Sequence, residues 1–261
     1  MNILVCIKQV PGSNKVQIDL ETGTLIRTKD NNKINPYDLF AIETALRLRE
    51  EYGGTVCTLT MGPPQAKQVI QESIAMGCDK GFLLSDKAFA GSDVLSTSYA
   101  LSQAIIKCGV FDLILCGKQT TDGDTAQVGV EVAELLNLPN LSNVVSIKSS
   151  SKNTLLVDSN QENLFITHEI QLPCLINLDN EINTPRLPSY RRMKAQMDIK
   201  FITLEDMEDK NKVNYGLDGS ATQVEKIFPP DKTSDRYKFE GNSNELSTKI
   251  YDLLLEKKFL I

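Results

Sequence analysis

The stretch F-D-L-I-L-C-G-K-Q-T-T-D-G-D-T-A-Q-V-G, Phe111 to Gly129, passes from an apolar run through a polar loop into a segment of helical pattern that reaches Asn137. Phe111 to Cys116 reads as a strand covered on both faces, because it is apolar almost throughout rather than alternating. Thr125 to Asn137 reads as a helix. A polar loop between the two lies where an open parallel sheet binds ligands, outside the carboxyl end of a strand. Its physical use is anion binding: backbone N–H groups at a helix start lack acceptors and carry the positive end of the helix dipole. Thr125 and Gln127 add side-chain donors, and Gly123 would let the backbone approach a ligand closely. The same residues also fit a capped helix start, with Asp124 or Thr125 as the cap, and the spacing alone leaves both readings open.

Working outward, three further apolar runs read as strands: Ile3 to Ile7, Thr55 to Thr60 and Gly81 to Leu84. Helical patterns lie between them. Asn35-Pro36 supplies a capping side chain followed by the residue best tolerated at the first helical position, and Leu39, Ile42, Ala45, Leu46 and Arg49 follow at helical spacing up to Gly53-Gly54. Pro63-Pro64 opens a second helix that ends at Gly77, and Asp93 caps a third that ends at Gly109. The alternation predicts an α/β fold: an open, mainly parallel sheet with helices on both faces.

From Leu138 the character changes. Val144 to Ile147, Leu155 to Val157, Leu164 to Ile170 and Leu175 to Leu178 read as shorter strands, a short antiparallel extension of the same sheet. The segment from Asn183 to Met197, with two prolines and four basic residues, is a poor core element and reads as a surface loop or partner-binding segment. Gly216 to Pro230 reads as extended or turn-like, and Asp231 to Asn242 is strongly polar. An amphipathic C-terminal helix follows from about Ser243, with Leu246, Ile250, Leu253 and Leu254 on one side. The expected organisation is a nucleotide-binding α/β domain over 1–230 and a C-terminal arm over 231–261.

Composition narrows the function. The 261 residues are 41% hydrophobic and 24% charged, with 28 basic against 34 acidic side chains for a net charge of −6, which argues against a nucleic-acid surface. No apolar run approaches the roughly 18 residues of a membrane helix, and Lys8 interrupts the first strand too early for a signal-peptide core, so a cytoplasmic protein without membrane insertion is expected. Six scattered cysteines with no C-x-x-C spacing read as buried free thiols rather than a disulfide frame or metal site. The single histidine, His168, lies in an alternating strand pattern on the face of Leu164 and Ile166 and reads as a satisfied imidazole. No hydrolase, zinc-protease, Walker or Rossmann motif occurs. No catalytic or metal-binding side chain is assigned; if the chain takes part in an enzyme reaction, a cofactor supplies the chemistry.

The loop sequence G-K-Q-T-T-D-G-D-T-A-Q-V-G resembles the signature of the β subunit of electron-transfer flavoproteins. The resemblance recurs in C-I-K-Q-V-P (Cys6 to Pro11), in N-P-Y-D-L-F-A-I-E-T-A-L-R-L-R-E (Asn35 to Glu50), in A-M-G-C-D-K-G (Ala75 to Gly81), in P-R-L-P-S-Y-R-R-M-K-A (Pro185 to Ala195) and in G-S-A-T-Q-V-E-K-I-F-P-P (Gly219 to Pro230). It implies an adenine-nucleotide-binding fold, pairing with a larger α subunit that carries its own FAD, and either FAD or AMP in the β site. Carried over residue by residue, it places the nucleotide contacts on Cys6, on Asn35, Pro36, Tyr37 and Asp38, on Met61, and on Lys118, Gln119, Thr120, Thr121, Asp122, Gly123, Asp124, Thr125, Ala126, Gln127, Val128 and Gly129. Asn35 to Asp38 and Cys6 would take the adenosine end, and Asp122 to Gly129 the pyrophosphate.

The form D-G-D-T-A-Q-V-G is similar to that of the electron-bifurcating branch. There FAD in the β site takes a hydride from NADH and sends one electron to ferredoxin or flavodoxin and the other, through the α-subunit FAD, to a partner dehydrogenase. The alternative within the family is a non-bifurcating shuttle with AMP in the β site. The family's dehydrogenase-recognition segment commonly reads P-R-Y-x-x-L-P-N-I-M-K-A; here it is one residue shorter and places Tyr190, Arg191 and Arg192 at the docking position, which leaves acyl-CoA and lactate-type 2-hydroxy-acid dehydrogenases as equal expectations for the partner. A self-sufficient regulatory module akin to universal stress proteins would share the α/β plan but leave Pro185 to Ala195 and Gly219 to Pro230 without a role.

Overall fold

The computed structural model describes residues 1–12, 17–18, 25–26, 32–149, 153–162, 164–225 and 238–260. The chain divides into two compact units, Met1–Glu225 and Lys226–Ile261. The first holds a nine-stranded sheet. Its strands in chain order are β1 (Asn2–Cys6), β2 (Thr55–Met61), β3 (Lys80–Leu84), β4 (Leu113–Gly117), β5 (Asn140–Ser149), β6 (Thr154–Gln161), β7 (Leu164–Gln171), β8 (Cys174–Leu178) and β9 (Ile199–Ile202). Across the sheet they run β7-β6-β5-β8-β4-β1-β2-β3-β9. β6 pairs antiparallel with β5 and β7, and the other pairings are parallel.

Strand alternation assigns the two faces. Ile3 and Val5 of β1 pack with Val56 and Leu83 against Ala41, Ile42, Ala45 and Leu46 of α1 (Pro36–Tyr52) and Val69, Ile70 and Ile74 of α2 (Lys67–Met76). Leu4, Cys57 and Leu59 point the other way, toward Ala100, Leu101, Ala104 and Ile105 of α3 (Val94–Cys108) and Val132 and Ala133 of α4 (Val128–Leu135). Burial of both faces explains why these strands read as continuous apolar runs. The helix stops at Gly53, Gly77 and Gly109 and the Asp93 cap, whose side chain accepts from Ser96 N at 3.0 Å, match the sequence expectation.

Several expectations need correction. The strands after Leu138 are not shorter: β5, β6 and β7 run 10, 8 and 8 residues. Only β6 and β7 make the antiparallel extension, whereas β5 and β8 return to the parallel core. α4 starts at Val128 and ends at Leu135, inside the expected Thr125 to Asn137, because Asp124, Ala126 and Asn137 adopt positive φ of 53°, 56° and 52° and cannot continue a right-handed helix. β9, a half-exposed edge strand of four residues beside β3, and the pairing of Gln9–Pro11 with Asn32–Ile34 were not anticipated. His168 is half-buried with Nε2 3.0 Å from Ser159 Oγ, a satisfied imidazole. Its neighbours Leu164 and Ile166 are exposed because β7 is the sheet's edge.

The second unit contains α6 (Ser243–Glu256), started by a capping box in which Glu245 N donates to Asn242 Oδ1 at 3.0 Å and Asn242 N to Glu245 Oε2 at 3.3 Å. Leu246, Leu253 and Leu254 are half-buried and Ile250 is exposed. Residues 216–219 form a turn and 220–225 are irregular, as expected, while 226–230 and 231–237 lie outside the described residues. No helix among the described residues is long and apolar enough to cross a membrane.

Sheet and helix meet closely at Gly81, where a Cβ would fall 2.0 Å from Ile70 Cγ2. Gly81→Ala is expected to lower unfolding free energy by about 1–3 kcal/mol through overpacking, and Ile70→Ala in the same chain to recover part of that loss. Additive losses in a urea double-mutant cycle would contradict this packing.

Candidate functional site

Strand order reverses at β1, which has β2 on one side and β4 on the other. The chain leaves these strands in opposite directions and opens a cleft of about 440 Å³ beyond their carboxyl ends. Of the residues expected to bind nucleotide, Cys6, Asp38, Met61, Lys118, Gln119, Thr120, Gly123, Thr125, Ala126, Val128 and Gly129 line this cleft. Asn35, Pro36, Tyr37, Thr121, Asp122, Asp124 and Gln127 do not line it. The wall that sequence reasoning missed consists of Ile7 and Lys8 after β1, Leu59 in β2, Cys116 and Gly117 at the end of β4, and Phe89, Gly91 to Val94, Thr97 and Leu101 around the start of α3. Its available signal was the capped helix start at Asp93: α3 follows β3, and so opens on the same edge of the sheet as the 117–129 loop.

Asn35 is fully buried, and its side chain does not cap α1. Its amide instead holds the neighbouring loop: Nδ2 donates to Asp38 Oδ1 at 2.8 Å and to Gln119 O at 2.9 Å, while Oδ1 accepts from Thr121 N at 3.3 Å. A buried amide with both ends occupied is a positioning group, since leaving either end unpaired costs about 1–3 kcal/mol. Asp38 completes the arrangement. Oδ2 accepts from Lys8 N at 2.7 Å, and the carboxylate lies so close under Gly117 that a Cβ there would fall 2.6 Å from Oδ1. Burial raises the Asp38 carboxyl to about 7, against the lowering effect of the bonds from Asn35 and Lys8.

The loop is pinned at two more points. Lys8 Nζ reaches Asp122 at 2.8 Å, and Lys118 Nζ reaches Asp179 at 2.9 Å. Burial opposes ionisation of Asp122, but the bonds from Lys8, Thr120 and Gly123 N outweigh it and hold the carboxyl below the usual range. The expected close approach at Gly123 is not seen: a Cβ there would make only an ordinary contact, 3.6 Å from Thr120 Oγ1. Gly129 is the constrained position, with Asn177 Oδ1 1.8 Å from where its Cβ would be. Neither Asp124 nor Thr125 caps α4. Gln127 occupies that position without a side-chain bond, and the first helical bond runs from Glu131 N to Gln127 O at 3.0 Å. The N–H groups of residues 128–130 precede that bond, and the left-handed turns at Asp124 and Ala126 hold Thr125 at the cleft. This arrangement can take an anion and, beside it, a flat ring. Among the described residues no cluster of three or more His, Cys, Asp or Glu side chains could hold a metal ion.

The segment around Tyr190 is not a plain loop, since Tyr190–Met193 forms a short helix, α5. It is fastened from beneath. Arg186 donates from Nε to Glu43 Oε2 at 2.7 Å and from Nη1 to Glu50 Oε1 at 2.6 Å, Ser189 N donates to Ala75 O at 2.8 Å, and Arg192 Nη1 lies 3.4 Å from Ile74 O and Cys78 O. Arg192 therefore serves the C-terminal end of α2. Tyr190 stays exposed, with Lys194 Nζ 4.5 Å above its ring, flanked by exposed Leu187 and Met193. Arg191 is also exposed.

Residues 22–207 match the family model described as "Electron transfer flavoprotein domain". The chain is 41% identical over 258 residues to the electron transfer flavoprotein subunit beta of Thermoanaerobacterium thermosaccharolyticum, covering 97% of this chain and 98% of that one. It is 40% identical over 266 residues to the caffeyl-CoA reductase-Etf complex subunit CarD of Acetobacterium woodii, covering all of both chains. Its identity to protein FixA of Sinorhizobium fredii is 42% over 240 residues, covering 88% of this chain and 84% of that one.

The buried carboxyl yields a test. A folded-state pKa of about 7 against 3.8 for the free side chain means that Asp38 binds its proton more tightly when folded. Its contribution is present below pH 4 and is lost as pH rises toward 7 and above, by about 2 kcal/mol between pH 5.5 and 8. Asp38→Asn is expected to remove that part of the pH dependence of urea unfolding. An identical pH profile for the two proteins would contradict the assignment.

Proposed function

Because the chain belongs to the electron transfer flavoprotein family as a β subunit, we propose that its cleft holds FAD, rather than AMP, between the 117–129 loop and the start of α3. The observation that carries this reading is the mixed lining of the cleft: backbone N–H groups at the start of α4, Thr125 and Lys118 suit a pyrophosphate, and Leu59, Met61, Phe89 and Leu101 add apolar surface that suits a flat ring. Asn35 to Asp38 act at the adenosine end, Cys6 and Asp38 at the cleft and Asn35 by positioning the loop. When bound, a flavin would supply the redox chemistry, hydride acceptance from NADH and delivery of single electrons to ferredoxin or flavodoxin and to the α-subunit FAD that serves a partner dehydrogenase. The chain's own task is to bind, orient and exclude water. No catalytic side chain is assigned to it. Replacing Thr125 by alanine is expected to weaken β-site nucleotide binding by about tenfold while leaving the unfolding transition in place. Full retention of nucleotide by a normally folded variant would refute the loop assignment.

The unit over 1–225 acts in this proposal as the nucleotide-binding domain, and the arm with α6 packs through Leu246, Ile250, Leu253 and Leu254 on the α subunit of a cytoplasmic heterodimer. Tyr190, flanked by Arg191 and Arg192, is the anchor for the dehydrogenase, since an exposed aromatic on an internally fastened segment loses little freedom on docking. The partner is of acyl-CoA or lactate-type 2-hydroxy-acid class; the occurrence of the relative CarD in a caffeyl-CoA reductase complex supports the former. Tyr190→Ala is expected to slow reduction of the matching dehydrogenase by roughly 10- to 100-fold with no change in flavin content. An unchanged rate with every candidate dehydrogenase would remove the anchor.

A further inference from the structure

Cys6 and Cys116 face each other across the parallel pairing of β1 with β4, in direct register. Of the six free cysteines, these two line the cleft: Cys116 is buried and Cys6 half-buried. Neighbouring parallel strands stand about 4.8 Å apart, and the two side chains pack on the same face of the sheet as free thiols, close enough for one intervening atom to join them.

We infer that Cys6 and Cys116 form a dithiol site in the floor of the cleft, one that a trivalent arsenical bridges. The reaction balances without a redox partner. The two S–H bonds and the As=O bond of an organoarsenic oxide become two S–As bonds and one water, and arsenic remains trivalent. The neighbouring Cys6 thiol, together with burial, pushes the Cys116 thiol well above its ordinary range. Cys116 is therefore a poor target for reagents that need a single thiolate, and chelation by two sulfurs is what distinguishes the pair. The bridging arsenic lies at the cleft wall, beside Gly117 and Met61, and its organic substituent projects into the space that the nucleotide takes. This last point rests on the proposed function; the bridging itself does not.

The test treats the purified heterodimer with phenylarsine oxide, both stripped of nucleotide and reloaded with FAD or AMP. Thiols left free are then labelled with a maleimide under denaturing conditions and mapped by mass spectrometry. The expected result for the stripped complex is one arsenical on this chain, with Cys6 and Cys116 protected together and released together by a small 1,2-dithiol. Labelling of both, or protection of a different pair, would overturn the site. Cys6→Ser at the half-buried position is expected to abolish retention of the arsenical, and undiminished retention would also overturn it; the wild-type map decides the matter should the variant fold poorly. Nucleotide at roughly ten times its Kd is expected to slow bridging about tenfold. Equal rates with and without nucleotide, on the same two thiols, would uphold the dithiol and reject the cleft as the nucleotide site.

Discussion

The parallel pairing of β1 with β2 on one side and β4 on the other is the constraint from which the rest of the molecule follows. β1 is buried on both faces and both edges, and its Ile3, Leu4 and Val5 are wholly apolar. Chain polarity appears where the strand ends. Because β1 and β4 hand the chain to opposite faces, the segments that follow them separate and leave a cleft between them. The local polar chemistry, from Lys8 and Asp38 to the 117–129 loop, answers that separation.

The answer is expensive in free energy, and its form is informative. Burying an amide and a carboxylate beneath a loop is tolerable only when their bonds are satisfied, and Asn35 with Asp38 satisfies the loop backbone and the Lys8 N–H together. The loop is thereby held open with non-glycine residues in left-handed conformations at Asp124 and Ala126. Strain of this sort persists where the surroundings over-determine the backbone, which is the condition for a preorganised ligand site. The segment around Tyr190 uses the same device at the surface, with Glu43 almost fully buried under Arg186 so that the aromatic can face outward.

The central strands and the first three helices were legible because they obey local rules: apolar runs, a proline at a first helical turn, an aspartate cap and glycine stops. The start of α4 was not, since nothing in D-G-D-T-A-Q announces that Asp124 and Ala126 turn left-handed; the loop's closure on Asn35 and Lys8 imposes it. Asn35 read as a cap because its sequence neighbourhood is that of a cap, while two of its three side-chain partners, Gln119 and Thr121, lie 84 and 86 residues away. The wall formed at Phe89 to Leu101 was missed for the same reason, as only sheet order brings the start of α3 beside the end of β4. Ile199–Ile202 escaped notice because an edge strand of four residues with two exposed side chains carries almost no pattern.

Taken together, sheet order places a cleft and a buried polar pair shapes its loop. The central claim is that this β subunit carries a flavin of its own. Counting FAD and AMP released on denaturation from the heterodimer purified with its α subunit tests it most directly. Two FAD and no AMP per heterodimer is the result the account predicts; one FAD with one AMP would contradict it.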